Sequence, residues 1–312
     1  MMFQKTVAQR QKVKLMLALA GPSGSGKTYS ALQLAYGMTK DWKKIALTDT
    51  ENKSALYYAG ADKTGEWQHI DFPSTLKAGY HPNNWIELIS FVERDPTIEV
   101  LILDSISHEW QGTGGCLQLV ELYSRDEKGN TFAPWKKVTP LHNAFIDKMR
   151  NSRLHIIATM RSTPEYAIEK NEKGKNVPKK IGLKPTQREG TDFEFGIIFD
   201  IDADDHYAKA SKDRTGIFAN RPAFLITPEI GDELTTWSNS GIDPASLLPK
   251  PQLYDQENSE HIVRLEKILR DMKIPETDWG IVSEHLHGKE MTPKTVKEIC
   301  KKIFEGNEGK EE

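Results

Sequence analysis

The apolar positions of the chain form short unbroken runs, separated by stretches where they recur at helical spacing. "VKLMLALAGP" (13–22) stops at glycine and proline, the pattern of a buried strand feeding a loop. In "TYSALQLAYGM" (28–38), Ala31, Leu34, Ala35 and Met38 share one helical face. "KKIALTDTE" (43–51) reads as a second strand ending in acidic residues, "WIELISFVERD" (85–95) as a helix, and "EVLILDSIS" (99–107) as a third buried strand. "PLHNAFIDKMRNS" (140–152) reads as a helix leading to a fourth strand, "LHIIATMR" (154–161). Strands alternating with helices predict an α/β fold, a doubly wound and mainly parallel sheet. Beyond residue 190, "FEFGIIFDID", "HYAKASK" and "AFLITPE" read as three successive strands extending one sheet edge.

The pattern then changes. "SNSGIDPASLLPKPQ" (238–252) is rich in proline, serine and glycine, the composition of a linker. In "EHIVRLEKILRDM", Ile262, Leu265, Ile268, Leu269 and Met272 fall on one helical face. "TPKTVKEICKKIF" offers Thr292 as N-cap and Pro293 at the first helical position. The expected organisation is a basic N-terminal arm over 1–14, a large α/β core over 15–245, a linker over 246–258, a small C-terminal helical domain over 259–305, and a disordered tail over 306–312.

Composition narrows the class. The 312 residues are 38% hydrophobic and 28% charged, which fits a polar globular protein. No apolar run reaches the roughly 18 residues a membrane span needs. The first fourteen residues are basic but lack a secretory apolar core, so a cytoplasmic protein is expected. The net charge of −3 gives no global attraction to nucleic acid, so any such contact must be local. The two cysteines, Cys116 and Cys300, are too few for a disulfide framework and are not spaced as metal ligands. The nine histidines show no H-E-x-x-H or H-x-x-x-H zinc pattern, and His108 reads as a packed or solvated side chain.

Between the first strand and the first helix stands "GPSGSGKTY": Gly21, Pro22, Ser23, Gly24, Ser25, Gly26, Lys27, Thr28 and Tyr29. Gly21, Gly26, Lys27 and Thr28 satisfy G-x-x-x-x-G-K-[ST] with a strand before and a helix after. Backbone amides of such a loop wrap the phosphates of ATP, Lys27 reaches the β and γ phosphates, and the Thr28 hydroxyl ligates Mg²⁺. Asp104 closes the third strand at the carboxyl edge, where open α/β sheets bind ligands, and suits an Mg²⁺ partner. Glu51 closes the second strand, near a γ phosphate, where a carboxylate can orient and deprotonate a water. Asp49 is its nearest competitor. A GTPase is disfavoured, because "NKSA" (52–55) lacks the aspartate of a guanine-reading N-K-x-D.

With these residues the sequence resembles the RecA/RadA ATPase family, in particular the compact phage-type AAA-labelled ATPases of recombination and single-strand annealing. "GPSGSGKT", "IALTDTE", "VLILDSIS" and "LHIIATMR" follow that family's order and approximate spacing over residues 13–230. The resemblance implies a RecA-like P-loop NTPase core, a catalytic glutamate at Glu51, and an Mg²⁺ aspartate at Asp104 followed by Ser105. It further implies a DNA-contacting segment after the fourth strand. There Lys170, Lys173, Lys175, Lys179, Lys180, Lys184 and Arg188 stand against Glu169 and Glu172, and a mobile basic loop on DNA is expected, with a plain solvated loop or an exposed β-hairpin as the alternative. Lys212 and Arg214 resemble the family's basic pair that reaches a neighbouring subunit's γ phosphate, a device worth about 10³–10⁵ in rate. The family's γ-phosphate-sensing glutamine is replaced by Thr159, which moves sensing toward Arg161 and favours annealing or loading over strand exchange. The resemblance also allows an N-terminal arm docking through Phe3, beside the reading of residues 1–14 as a loose tail. Trp110 and Trp135 flank the position of the family's other DNA-facing loop, where rings stack bases or pack in a core or interface.

The implied protein is an ATP- and Mg²⁺-dependent enzyme that binds single-stranded DNA as a homo-oligomer, ring or filament, in the cytoplasm of a phage host. A single-strand-binding or replication protein is a further expected partner. The alternatives are a loader or regulatory nucleotide switch, and a small-molecule P-loop kinase in which the basic segment is a lid.

Overall fold

The computed structural model describes residues 7–60, 64–72, 78–125, 132–170, 176–243 and 253–304. The first apolar run becomes β1 (Met16–Gly21), buried at all six positions. Its residues alternate between two cores, Leu17 and Leu19 entering one and Met16, Ala18 and Ala20 the other. A strand buried on both faces needs no polar alternation, which explains the unbroken run.

The other strands are β2 (Ile45–Asp49), β3 (Gln68–Asp71), β4 (Val100–Asp104), β5 (His155–Lys170), β6 (Asn176–Pro185), β7 (Ile197–Ile201) and β8 (Ala208–Asp213). The helices of the same unit are α1 (Lys27–Thr39), α2 (Pro82–Glu93), α3 (Ser107–Gln111), α4 (Cys116–Ser124), α5 (Ala133–Arg150) and α6 (Pro228–Asn239). The sheet runs β3-β2-β4-β5-β1-β7-β8. Only β8 on this path is antiparallel to its neighbour. α1 and α6 cover one face, α2 and α5 the other. This is an α/β core built on a mostly parallel sheet with helices on both faces.

Two features of this winding position the site. First, β5 lies between β1 and β4, with Gly21 opposite Arg161 and Leu103 opposite Ala158, so Thr159 follows alongside Asp104. Second, α1 and α6 cross at Gly37 and Gly231. A Cβ built at Gly37 would lie 2.9 Å from the Gly231 Cα and closer still to the Pro228 carbonyl. Only glycine allows that approach, which brings the start of α6 beside the phosphate loop.

Several elements differ from expectation. The stretch 223–229 forms no third edge strand, only a single bridge from Phe224 to Ala208 before α6 begins. Pro222 and Pro228 bracket it and supply no ladder donors, while Phe224 and Ile226 still pack on the core. Helix α5 starts at Ala133, well before Pro140, which lies inside it. β3 and α4 were not expected. Where described, the basic segment after the fourth strand takes the hairpin alternative: β5 continues to Lys170 and pairs antiparallel with β6 from Ser162↔Pro185 to Lys170↔Asn176.

The N-terminal residues are not a loose tail where described. Lys12 N donates to Ile242 O and Ile242 N to Arg10 O, while Val13 N donates to Ser238 O. Arg10 lies 4.2 Å from the Trp237 ring centroid and donates to its carbonyl. Phe3 and Lys5 lie outside the described residues.

Residues 243–312 make a second unit. Its core joins Leu265 and Leu269 of α7 (Ser259–Asp271), Val282 and Leu286 of an unexpected α8 (Trp279–Leu286), and Val296 and Ile299 of α9 (Pro293–Phe304). Thr292 caps α9 by accepting from Thr295 N at 3.1 Å. No described helix is long and apolar enough to cross a membrane.

Candidate nucleotide-binding site

The turn between β1 and α1 needs left-handed backbone at two points, and glycine occupies both: Gly24 at φ 81° and Gly26 at φ 86°. Gly26 is the residue before α1, so the amides of Lys27, Thr28 and Tyr29 open the helix with no intrahelical acceptor. Amide donors and the positive end of the helix dipole then face one cleft, the arrangement that binds phosphate. Lys27 is 8% exposed, and its Nζ donates to Pro22 O at 2.7 Å. Burial lowers its pKa, while Asp104 and Glu51 pull it back up.

Asp104 is 2% exposed and accepts from Thr28 Oγ1 at 2.5 Å through Oδ2 and from Thr159 Oγ1 through Oδ1. Burial pushes its carboxyl up to about 6, the two hydroxyls pull it down, and Glu51 and Asp49 push it up. An Mg²⁺ ion fits this place. The donor set is all oxygen, as Mg²⁺ prefers, and the desolvated carboxylates are compensated by a cation.

The two acids at the end of the second strand have different partners. Asp49 is buried, its Oδ1 accepting from Glu51 N at 2.5 Å and its Oδ2 from Ala55 N at 2.8 Å. It shapes the turn. Glu51 lies in the cleft, with Arg161 Nε donating to its Oε1 at 2.8 Å. Arg161 N in turn donates to Ser107 Oγ at 3.0 Å. His108 is neither loose nor purely apolar in its packing: its Nδ1 lies 2.5 Å from Thr50 Oγ1, and Tyr80 stacks on the ring at 5.0 Å. Thr50 N donates to the Asp104 carbonyl at 2.7 Å, so β2 and β4 are tied at the floor of the site.

The cleft has a volume of about 830 Å³, large enough for a nucleotide. Ser23, Gly24, Gly26, Lys27, Thr28, Tyr29, Glu51, Asp104 and Arg161 line it, whereas Gly21, Pro22, Ser25 and Thr159 support its floor without lining it. Sequence reasoning missed its far wall: Tyr57, Tyr58, Gln33, His206 and residues 225–229. Tyr58 packs on Tyr29 at 5.7 Å, and Tyr57 is 85% exposed. The adjacent tyrosines after the second strand were the one available signal, and no periodicity marks the rest.

Other expected residues fall elsewhere. Lys212 Nζ donates to Asp192 O at 2.8 Å and Arg214 Nη2 to Phe193 O at 3.0 Å, and neither lines the cleft. Lys184 is exposed and Arg188 half-buried at the base of the β5–β6 hairpin. Lys170, Lys179 and Lys180 have described backbone only, and Lys173 and Lys175 lie outside the described residues. Trp110 and Trp135 stack on each other at 5.8 Å.

A profile described as "AAA domain" matches residues 13–225, the span from β1 past β8. The chain belongs to the AAA domain family. As a member it is a P-loop ATPase. A KaiC-like protein from the hyperthermophilic archaeon Pyrococcus horikoshii OT3 is structurally similar to this AAA protein, with 14% identity over 72% of this chain and 97% of that one, at a TM-score of 0.39. No curated protein matches the chain.

Proposed function

We propose that this AAA protein hydrolyses ATP at the junction between its own subunits while gripping single-stranded DNA, in recombination, single-strand annealing or repair. One observation carries the reading: the strand β5 is shared by the site and the hairpin. Thr159 bonds Asp104 and Arg161 bonds Glu51, and from Ser162 the same strand runs on as the hairpin that contains the basic segment. A shift of Arg161 therefore has a direct covalent path to the segment that would lie on the polynucleotide.

The residues divide the chemistry. The loop amides and Lys27 cradle the triphosphate, and Thr28 with Asp104 holds Mg²⁺, which when bound neutralises phosphate charge. Arg161 clamps Glu51 until phosphate oxygens in the cleft compete for its guanidinium. Glu51 then accepts a proton from the attacking water. Lys212 and Arg214, remote from their own chain's cleft, supply positive charge to a neighbour's transition state.

ATP turnover measured with and without single-stranded DNA at two salt concentrations tests this. The expected result is stimulation that fades with salt. Lys184→Ala removes one ammonium from the hairpin, and the log–log salt slope of DNA affinity should flatten by about 0.7, the share of one phosphate on a single strand. Turnover indifferent to DNA but yielding a phosphorylated metabolite would establish a kinase instead. Nucleotide binding with neither turnover nor DNA affinity would establish a loader or regulatory switch.

A further inference from the structure

Away from the cleft, three helices each contribute one side chain to a single buried point. Glu109 on α3, Cys116 at the start of α4 and His142 within α5 bring a carboxylate oxygen, a sulfur and a ring nitrogen within 4.8 Å of one another. Cys116 Sγ lies 3.0 Å from Glu109 Oε1, and His142 Nδ1 lies 3.1 Å from the same oxygen. Glu109 and Cys116 are wholly buried, and His142 is 3% exposed. The residues are separated in sequence and come from different helices, so no short motif announces them.

We propose that Glu109, Cys116 and His142 bind one Zn²⁺ ion, with water as the fourth ligand. Zinc is the ion for this set: thiolate, imidazole and carboxylate together match its borderline softness, whereas Mg²⁺ and Ca²⁺ take oxygen alone. The charges balance, because thiolate and carboxylate neutralise the dication and imidazole stays neutral. In the metal-free site the Cys116 thiol donates to Glu109 Oε1 at 3.0 Å. Binding replaces that proton, which leaves to solvent, while sulfur, oxygen and Nδ1 donate lone pairs. Tetrahedral zinc places such donors about 3.4–3.6 Å apart, so Glu109 Oε1 needs to part from Cys116 Sγ and His142 Nδ1 by only a few tenths of an ångström.

The surroundings fit a ligand set. His142 Nε2 lies 3.3 Å from Thr191 Oγ1, which is placed to accept the ring proton once it moves from Nδ1 to Nε2 and Nδ1 takes the ion. Gln187 Nε2 lies 3.4 Å from Glu109 Oε2 and donates to Ile106 O at 3.1 Å, steadying the carboxylate. Trp110 meets the His142 ring edge-on at 5.7 Å. The ion would pin α3, which follows the Asp104 strand, to α4 and α5.

The test uses the full chain, loaded with Zn²⁺ or Co²⁺ and dialysed exhaustively. The expected results are one equivalent of zinc by mass spectrometry and, with Co²⁺, a thiolate charge-transfer band with four-coordinate visible bands. Cys116→Ser and His142→Gln should each lose the charge-transfer band, and Cys300→Ser should keep it. The chain has two cysteines, so if the first two variants fail to fold the Cys300→Ser protein decides alone: a surviving band assigns the thiolate to Cys116. Retention of less than a tenth of an equivalent of zinc, or a Co²⁺ spectrum without the thiolate band, would overturn the proposal.

Discussion

Asp49 and Glu51 stand two residues apart at the end of β2, and their carboxylates do different things. Asp49 spends both oxygens on backbone amides of its own turn, whereas Glu51 meets the Arg161 guanidinium and faces the cleft. A carboxylate committed to backbone donors cannot also take a proton from water without breaking the turn. Glu51→Gln keeps the shape and removes the proposed base, so turnover should fall by about 10²–10⁴ while nucleotide affinity is retained. Phosphate release and binding of a fluorescent ATP analogue separate the two. Asp49→Asn should instead lower the thermal midpoint, because an amide presents one acceptor where the turn uses two. If Glu51→Gln hydrolysed ATP at the parent rate, the proton acceptor would have to be sought elsewhere on the cleft wall.

Strands and their ends carry the next consequence, because β1 and β5 are joined at their start by a histidine. Leu15 N donates to His155 Nδ1 at 3.1 Å, which requires that nitrogen to be unprotonated. Burial, helped by the Lys14 ammonium, pushes the imidazole down to about 3. A folded value below the ordinary one, about 6.5, means that protonation favours the unfolded chain. The contribution is complete above pH 6.5 or so, and it is lost as the pH falls from there toward 3. Between pH 7 and pH 5 the loss from this one group is about 2 kcal/mol. Urea unfolding of His155→Gln should therefore show a weaker protein at pH 7 whose stability changes less on going to pH 5, by about that amount. What was legible at this scale follows the same physics. β1, β2 and β4 are buried on both faces and declare themselves as apolar runs. The half-exposed edge strand β3, "QHID", has no such run. The convergence of Glu109, Cys116 and His142 depends on how three helices pack, which no local pattern encodes. The phosphate loop and Asp104 were readable because their chemistry requires fixed spacing within one turn and one strand end. The tyrosine wall was not, because a nucleobase face can be built from any flat side chains that the fold brings together.

At the scale of the whole molecule, the decisive residues are those the single chain leaves away from its own cleft. Lys212 and Arg214 cap carbonyls of the 191–194 turn and do not line the site, so a role in hydrolysis requires a second copy. That requirement gives a prediction no monomeric mechanism shares. Lys27→Ala leaves a chain with a dead site and an intact basic pair, and Arg214→Ala leaves the converse. Each alone should be inactive, the second by about 10³–10⁵ in kcat if it follows other arginines delivered in trans. In a head-to-tail assembly the two defects sit on opposite sides of each junction, so random mixing at equal amounts rebuilds about one junction in four from two intact halves. Turnover of the mixture should then recover to about a quarter of the parent rate, and recovery should disappear on dilution below the assembly concentration. A mixture no more active than its components would confine each site to one chain, and Lys212 and Arg214 would then be no more than supports for the 191–194 turn.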